Sequence, residues 1–324
     1  MGFELNDRVI GLNVQLQAFM DKHIYPREHD WHEWCLDQDN LWVTPPWFDE
    51  LRELAKAEGL WNLFLPREYA PWSPGLSNVE SAPLFETMSK VLWAQPVFNC
   101  NAPDRGNMEV LAKYGTEAQQ KQWLDPLLAG ELRSAYAMTE PQVASSDATN
   151  MELEITRDGD EYVLNGRKWW TTGAINPRCK VMLVMGKSNP ENPRHRQHST
   201  ILVPRDTPGI TLVRPLRVFD SLHSPGGEAE LLFENVRVPV KNMINGEGCG
   251  FEIAQGSLGP GRFQYAMGLV GMAQRCLELM CARAEERVAF GEPLIKKTSV
   301  QHEIARCRCD IEQARLLTLQ AAHV

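Results

Sequence analysis

From Leu5 to about Arg133, apolar residues return every third or fourth position between Pro and Gly punctuation, as in Ile10, Val14, Leu16 and Phe19. This is the period of short amphipathic helices that bury one face. Thr116 followed by Gln119 has the form of a capping box. It predicts a helix start there, with Trp123 and Leu124 turned inward and a stop near Gly130. After Arg133 the period shortens to two. Leu153 and Ile155 alternate with charged neighbours, Asp158-Gly159 marks a turn and Tyr162-Val-Leu164 follows, which predicts a hairpin. Further strands are expected at Val181 to Val184, Ser199 to Val203, Ile210 to Val213 and Ala229 to Phe233. Beyond Val240 the helical period returns. Phe263, Ala266, Met267, Val270, Ala273, Leu277, Met280, Ala284 and Val288 form one stripe, and a second helix from about Val300 carries Ile304, Ile311 and Leu316.

This succession predicts an α+β protein. An N-terminal α-helical domain spans 1–133, a small β-barrel or sandwich domain spans 134–240, and a C-terminal helical bundle spans 241–324. No cap or stop signal precedes Val324, so the bundle is expected to be incomplete within this chain.

Charge narrows the ligand classes. A net charge of -9 over 324 residues attracts no polyanion, which argues against nucleic acid and means that an anionic ligand needs a local cluster of cations or backbone amides. No apolar run approaches the roughly 20 residues of a membrane helix, and the first residues lack a basic then apolar leader. A soluble protein of the cytoplasm or an organelle matrix is expected. Eight cysteines, at 35, 100, 179, 249, 276, 281, 307 and 309, show no C-x-x-C spacing. They predict reduced, mostly buried thiols rather than a zinc site or disulfide framework. His29 and His32 stand three apart among Glu, Asp and Trp, a solvated face more than a metal site, and no metal is assigned.

Three constellations carry candidate chemistry. Tyr136-Ala-Met138-Thr139-Glu140-Pro141 runs into Gln-Val-Ala-Ser145-Ser146-Asp147. Such a turn either presents amides and hydroxyls to a phosphate or is an ordinary strand exit whose Ser and Asp bond their own backbone. Asn165-Gly166-Arg167-Lys168-Trp169-Trp170-Thr171-Thr172 places two tryptophans side by side on a strand, where alternation sends them to opposite faces. Trp170 and Thr172 on one face suit the wall and edge of a planar redox ring, or else a core indole beside exposed threonines. Gly259-Pro260-Gly261-Arg262 has the look of a helix head, Pro in the first turn and free amides beside an Arg, which favours an anion or is simply a solvated turn.

In this order the three motifs resemble those of the acyl-CoA dehydrogenases, and within them the branch of family member 11, through Met138-Thr-Glu-Pro, Ala144-Ser-Ser-Asp-Ala-Thr-Asn150, Lys168-Trp-Trp170 and Leu258-Gly-Pro-Gly-Arg262. The resemblance runs from Leu65-Pro66 to Arg287-Val-Ala-Phe290-Gly291. It implies FAD as cofactor, an acyl-CoA substrate, α,β-dehydrogenation with hydride passing to flavin N5, an electron-transfer flavoprotein as acceptor, and a homodimer or homotetramer. It further implies that Tyr136, Met138 and Thr139 approach the isoalloxazine, that Ser145 and Ser146 reach the pyrophosphate or pantetheine, and that Trp170, Thr171 and Thr172 flank the ring with Thr172 near N5. Ser146, Gly259, Pro260, Gly261 and Arg262 are then expected on the CoA thioester, and Arg287 and Phe290 on the FAD of a neighbouring subunit.

Three positions depart from the family's pattern. One extra residue lies in Gln142-Val-Ala-Ser-Ser-Asp147, where the family usually has Gly-Ala-Gly-Ser-Asp; Thr298 stands where a Gln often touches adenine; and Gly261 stands where some members carry the base. Abstraction of an α-proton needs a carboxylate. The resemblance places that carboxylate beyond Val324, so no catalytic residue is named. An acyl-CoA oxidase or flavin monooxygenase of the same fold, and a non-catalytic FAD- or acyl-CoA-binding chain, remain the alternatives.

Overall fold

Helix starts follow from side chains that take up otherwise free amides. The computed structural model describes residues 5–37, 39, 41–222 and 225–323, without the side chain of Pro260. Asn6 accepts from the Val9 amide to open α1 (Asp7–Phe19). The helices α2 (Glu28–Leu36) and α3 (Pro46–Ala57) follow, and Ser77 with Glu80 forms a capping box at α4 (Asn78–Met88). After α5 (Asp104–Tyr114), the expected Thr116–Gln119 box opens α6 (Glu117–Gln119). The chain then passes through a π-helical turn into α7 (Asp125–Ala129), which stops at Gly130 with φ +72°. Leu124 is buried and Trp123 half-buried. The long α8 (Gly250–Glu286) and α9 (Thr298–His323) complete the helices, separated by a small hairpin of β8 (Val288–Ala289) and β9 (Glu292–Pro293).

Between α7 and α8 lie β1 (Arg133–Ala137), β2 (Glu154–Asp158), β3 (Glu161–Thr172), β4 (Cys179–Lys187), β5 (His198–Pro204), β6 (Ile210–Leu216) and β7 (Glu228–Pro239). They form one seven-stranded curled sheet. The hairpin at Asp158-Gly159 and every other expected strand are present, each longer than the sequence period marked. β5 pairs antiparallel with one edge of β4 from Val181 to Lys187. The other edge takes β1 at Cys179 to Val184 and then β2 at Lys187, so β1 and β2 lie end to end in one sheet position. β3 runs back antiparallel along β2 and pairs on its far side with β7, which pairs with β6.

Internal contacts divide the chain into two units: residues 1–29, 49–100 and 259–324, and residues 30–48 and 101–258. In the first, Val9, Leu16, Phe19, Met20, Phe85 and Phe98 are buried, with the rings of Phe19 and Phe98 5.3 Å apart edge to face. Ile10 and Val14 are exposed instead, because the buried face of α1 runs through Val9, Leu16 and Phe19. Val270 and Leu277 of α8 meet Ile311 of α9, with Ile304 and Cys307 half-buried beside them. Ala273, Val288 and Leu316 fall off that seam and are exposed; Val288 lies past the end of α8, in β8. The second unit packs the inner face of the sheet around Ile155, Leu164, Val184, Ile201, Leu231, Phe233 and Val236. Of the eight free thiols only those of Cys100 and Cys179 are buried, which corrects the expectation of mostly buried cysteines. No described helix is long and apolar enough to cross a membrane.

Candidate functional site

The second unit builds its site where the sheet is interrupted. β1 ends at Ala137, the chain leaves the sheet at Met138 and re-enters at Glu154 as β2, and β3 passes alongside the gap. Beyond the pairing with β2, Trp169 takes the place of a ladder partner. Its amide donates to the Thr139 carbonyl (3.0 Å), and the Thr139 hydroxyl donates to the Trp169 carbonyl (2.7 Å). Gly166 makes the turn into this stretch at φ +147°. A Cβ there would stand 2.8 Å from Leu153 Cα, so only glycine admits the returning strand so close.

Lys168 fills the gap. Its side chain is 0% exposed, and Nζ donates to the Met138 carbonyl and to Glu140 Oε1, both at 2.7 Å. Glu140, 3% exposed, accepts from the Leu153 amide at 2.9 Å and the Glu152 amide at 2.8 Å. A buried pair is tolerable only when such bonds replace lost hydration. Burial still tells on the lysine, pushing it down to about 8 against the pull of Glu140.

The two tryptophans depart from strand alternation. Trp170 has φ +51°, the β3–β7 register slips between Lys168 and Thr171, and the indole rings of Trp169 and Trp170 lie 5.8 Å apart instead of on opposite faces. Trp170 is left 40% exposed. Thr171 is fully buried with no hydrogen-bond partner for Oγ1, while Thr172 donates to Glu228 Oε2 at 2.7 Å. On β1, Tyr136 Oη is also buried without a partner; it lies toward Thr200 Oγ1 without reaching bonding geometry, and burial pushes the phenol up to about 12. A half-exposed indole beside unpartnered hydroxyls is a donor set that fits the wall and polar edge of a planar ring. Met138 is half-buried beside Tyr136 in the apolar cluster of Met151, Met185 and Ala254.

The serine turn is partly self-satisfied. Ser145 Oγ accepts from the Glu140 amide (2.8 Å) and donates to the Glu140 carbonyl (3.1 Å), the local reading of this residue, whereas Ser146 is exposed. Asp147 accepts from the Thr149 hydroxyl and amide, and Arg194 reaches both residues. These Thr149 bonds, with Arg194, hold the Asp147 carboxyl below its usual range. Sequence reasoning missed Arg194 and the Lys168–Glu140 pair, because partners so far apart in sequence leave no spacing signal.

The Gly259-Pro260-Gly261-Arg262 motif is not a helix head. It lies in the third and fourth turns of α8, which begins at Gly250, so the free amides expected there are used inside the helix. Gly259 and Gly261 border open space, and Arg262 is exposed. The Pro260 side chain lies outside the described residues. Glu252 sits exposed in the first turn of α8. In the first unit, Arg287 is exposed, and Phe290 stands 97% exposed at φ +53° in the turn of the β8–β9 hairpin, next to Gly291. Thr298 is the first residue of α9.

Sequence comparison bears on the whole chain. The acyl-CoA dehydrogenase N-terminal, middle and C-terminal domain profiles match residues 12–131, 135–236 and 248–324. The chain is 51% identical over 323 residues to acyl-CoA dehydrogenase family member 10 of Mus musculus, covering 99% of this chain and 30% of that protein. It is 53% identical over 316 residues to family member 11 of Gallus gallus, covering 95% and 40%. It therefore spans well under half the length of these two relatives. "Probable acyl-CoA dehydrogenase FadE2" of Mycobacterium tuberculosis is 48% identical over 324 residues, with 99% of this chain and 78% of that protein covered. A solved Mycobacterium abscessus structure at 48% identity superposes with a TM-score of 0.94 over 98% of this chain and 80% of its own. The glutaryl-coenzyme A dehydrogenase in its glutaryl-CoA complex, 27% identical, gives 0.83 over 99% and 78%. By profile, identity and fold together, the chain belongs to the acyl-CoA dehydrogenase family.

Proposed function

We propose that this chain binds FAD and a CoA thioester and serves α,β-dehydrogenation of the acyl group. The observation that supports the reading is the meeting of Thr139 with Trp169, next to which the Trp170 indole is left 40% exposed, together with the buried Thr171 and Tyr136 hydroxyls that have no hydrogen-bond partner. When bound, FAD supplies a two-electron acceptor for the β-hydride, with an electron-transfer flavoprotein as the onward partner. The chain's own contributions are positional. Tyr136 at the end of β1 and Met138 and Thr139 just past it are assigned to the edge of the flavin ring, Trp170 to a wall, and the Thr171 and Thr172 hydroxyls to a place beside it. Ser146, exposed in the second unit, is available to the CoA portion; Arg262, exposed in the first, is assigned to CoA by the family resemblance alone. Arg287 and Phe290, projecting from their hairpin, are assigned to the FAD of a neighbouring subunit in a homo-oligomer. No carboxylate stands at position 261, so proton abstraction is not assigned to α8.

Purification should give a yellow protein that bleaches when a fatty acyl-CoA is added without oxygen. A folded chain that takes up no FAD sinks the binding claim. Uptake without bleaching by any acyl-CoA leaves a binding protein. Reoxidation by oxygen faster than by an electron-transfer flavoprotein marks an oxidase.

A further inference from the structure

Two strands that share one position in a sheet leave a hole between them when the chain leaves at Met138 and returns at Glu154. A hole of that kind exposes backbone groups that a sheet normally satisfies. Here four bonds close it. Lys168 Nζ donates to the Met138 carbonyl and to Glu140 Oε1, the Trp169 amide donates to the Thr139 carbonyl, and the Thr139 hydroxyl donates to the Trp169 carbonyl. Lys168 therefore grips the residues on both sides of Thr139, and the residue after it holds Thr139 itself. Glu140 is fixed in turn by the amides of Glu152 and Leu153 and, through its own amide, by Ser145. All these groups belong to one unit.

We infer that Lys168 and Glu140 form a positioning clamp that sets Thr139 and the Trp169–Thr172 segment at the geometry required to receive the flavin edge. The clamp rests on the FAD-binding reading above and adds to it an assignment of which residues hold the receiving surface in shape. Neither side chain reaches the surface itself, at 0% and 3% exposure, so the pair acts through Thr139 and Trp169 rather than on a ligand. The grip is made at several points at once, since Glu140 accepts from Lys168 and from the Glu152 and Leu153 amides. A buried ion pair with its remaining valences met by backbone has one arrangement, whereas an apolar filling of the same space would leave the Met138 carbonyl and the two amides without partners.

The test is a double-mutant cycle on the full chain, with FAD affinity read by flavin fluorescence and folding by near-ultraviolet circular dichroism and thermal melting of the FAD-free protein. Lys168→Met should fold and weaken FAD binding at least tenfold. Thr139→Val should weaken it as well, and the double variant should be no weaker than Lys168→Met alone, because the lysine acts through Thr139. Glu140→Gln, which keeps the shape of the side chain, should reproduce the loss. Unchanged affinity in folded Lys168→Met, or strictly additive losses in the cycle, overturns the clamp while leaving FAD binding in place. Loss of the fold in both Lys168→Met and Glu140→Gln makes the pair a purely structural one and also overturns it. Failure of the unsubstituted chain to bind FAD overturns the functional reading first, and the inference with it.

Discussion

Thr171 buries a hydroxyl that has nothing to bond, an arrangement that costs about 1–3 kcal/mol unless a partner arrives. Thr171→Val removes the hydroxyl and keeps the shape. The FAD-free protein should hold or gain thermal stability, while FAD affinity falls by about tenfold, roughly 1.4 kcal/mol. A destabilised apoprotein with unchanged FAD affinity contradicts both halves. Lys168 offers a pH signature. Burial moves it from 10.5 to about 8, so between these values the unfolded chain binds a proton that the folded chain has released. Stability contributed by this group therefore rises with pH through that window and is lost as pH falls through about 8. Urea midpoints of the wild type relative to Lys168→Met should widen in favour of the wild type from pH 7.5 to pH 10. Which residues face the gap was legible only in part. The Met138-Thr-Glu-Pro and Lys168-Trp-Trp motifs are plain in the sequence, but the positive φ of Trp170 brings the two indoles together, and no periodicity encodes it.

Strands and capped helices were the readable elements, because one-sided burial imposes a period of two and free amides demand Thr116 and Gln119. Errors came where more than one face fits the same spacing. In α1 the stripe through Ile10 and Val14 is as regular as the one through Val9, Leu16 and Phe19, and only packing decides between them. The start of α8 was hidden by Gly259-Pro260-Gly261, which reads as a boundary although the helix already runs from Gly250. An internal proline forfeits one helical hydrogen bond, and the turns on both sides of it carry buried residues, Ile253 and Ala254 before, Phe263 and Gln264 after. Gly271 farther along α8 is needed for another reason: a Cβ there would collide with the Glu86 carbonyl at the end of α4. Gly→Ala in an open helix interior stabilises by about 1 kcal/mol. Gly271→Ala should instead destabilise by about 1–3 kcal/mol, the cost of overpacking, measured by urea unfolding.

For the whole molecule, net charge and hydropathy argued against classes of partner without identifying one, and the identification came from ordered motifs spread over both units. The family membership is shared with much longer relatives, of which this chain covers 30% and 40%. Assembly is tested at Phe290. Its ring is almost fully exposed, so Phe290→Ala should shift the stability of an isolated subunit by no more than about 0.5 kcal/mol. If the ring serves a neighbour's FAD, the same substitution should weaken FAD binding, and that weakening should track the oligomer population seen by sedimentation velocity.

The end-to-end placement of β1 and β2 has a consequence for variation. β1 ends opposite Val184 and β2 starts opposite Lys187 on β4, and Ala148 and Met151 between them are buried against Met185 and Ala254, so the stretch 141–144 ahead of these anchors is the part that takes no place in the sheet ladder. The extra residue at Gln142-Val-Ala-Ser-Ser-Asp147 is therefore accommodated locally, without a change of register. The same feature makes this stretch a natural port for engineering: changes of length belong between Pro141 and Ala144, ahead of Ser145 and the buried Ala148 and Met151, where they leave the pairing of β1 and β2 with β4 as it is.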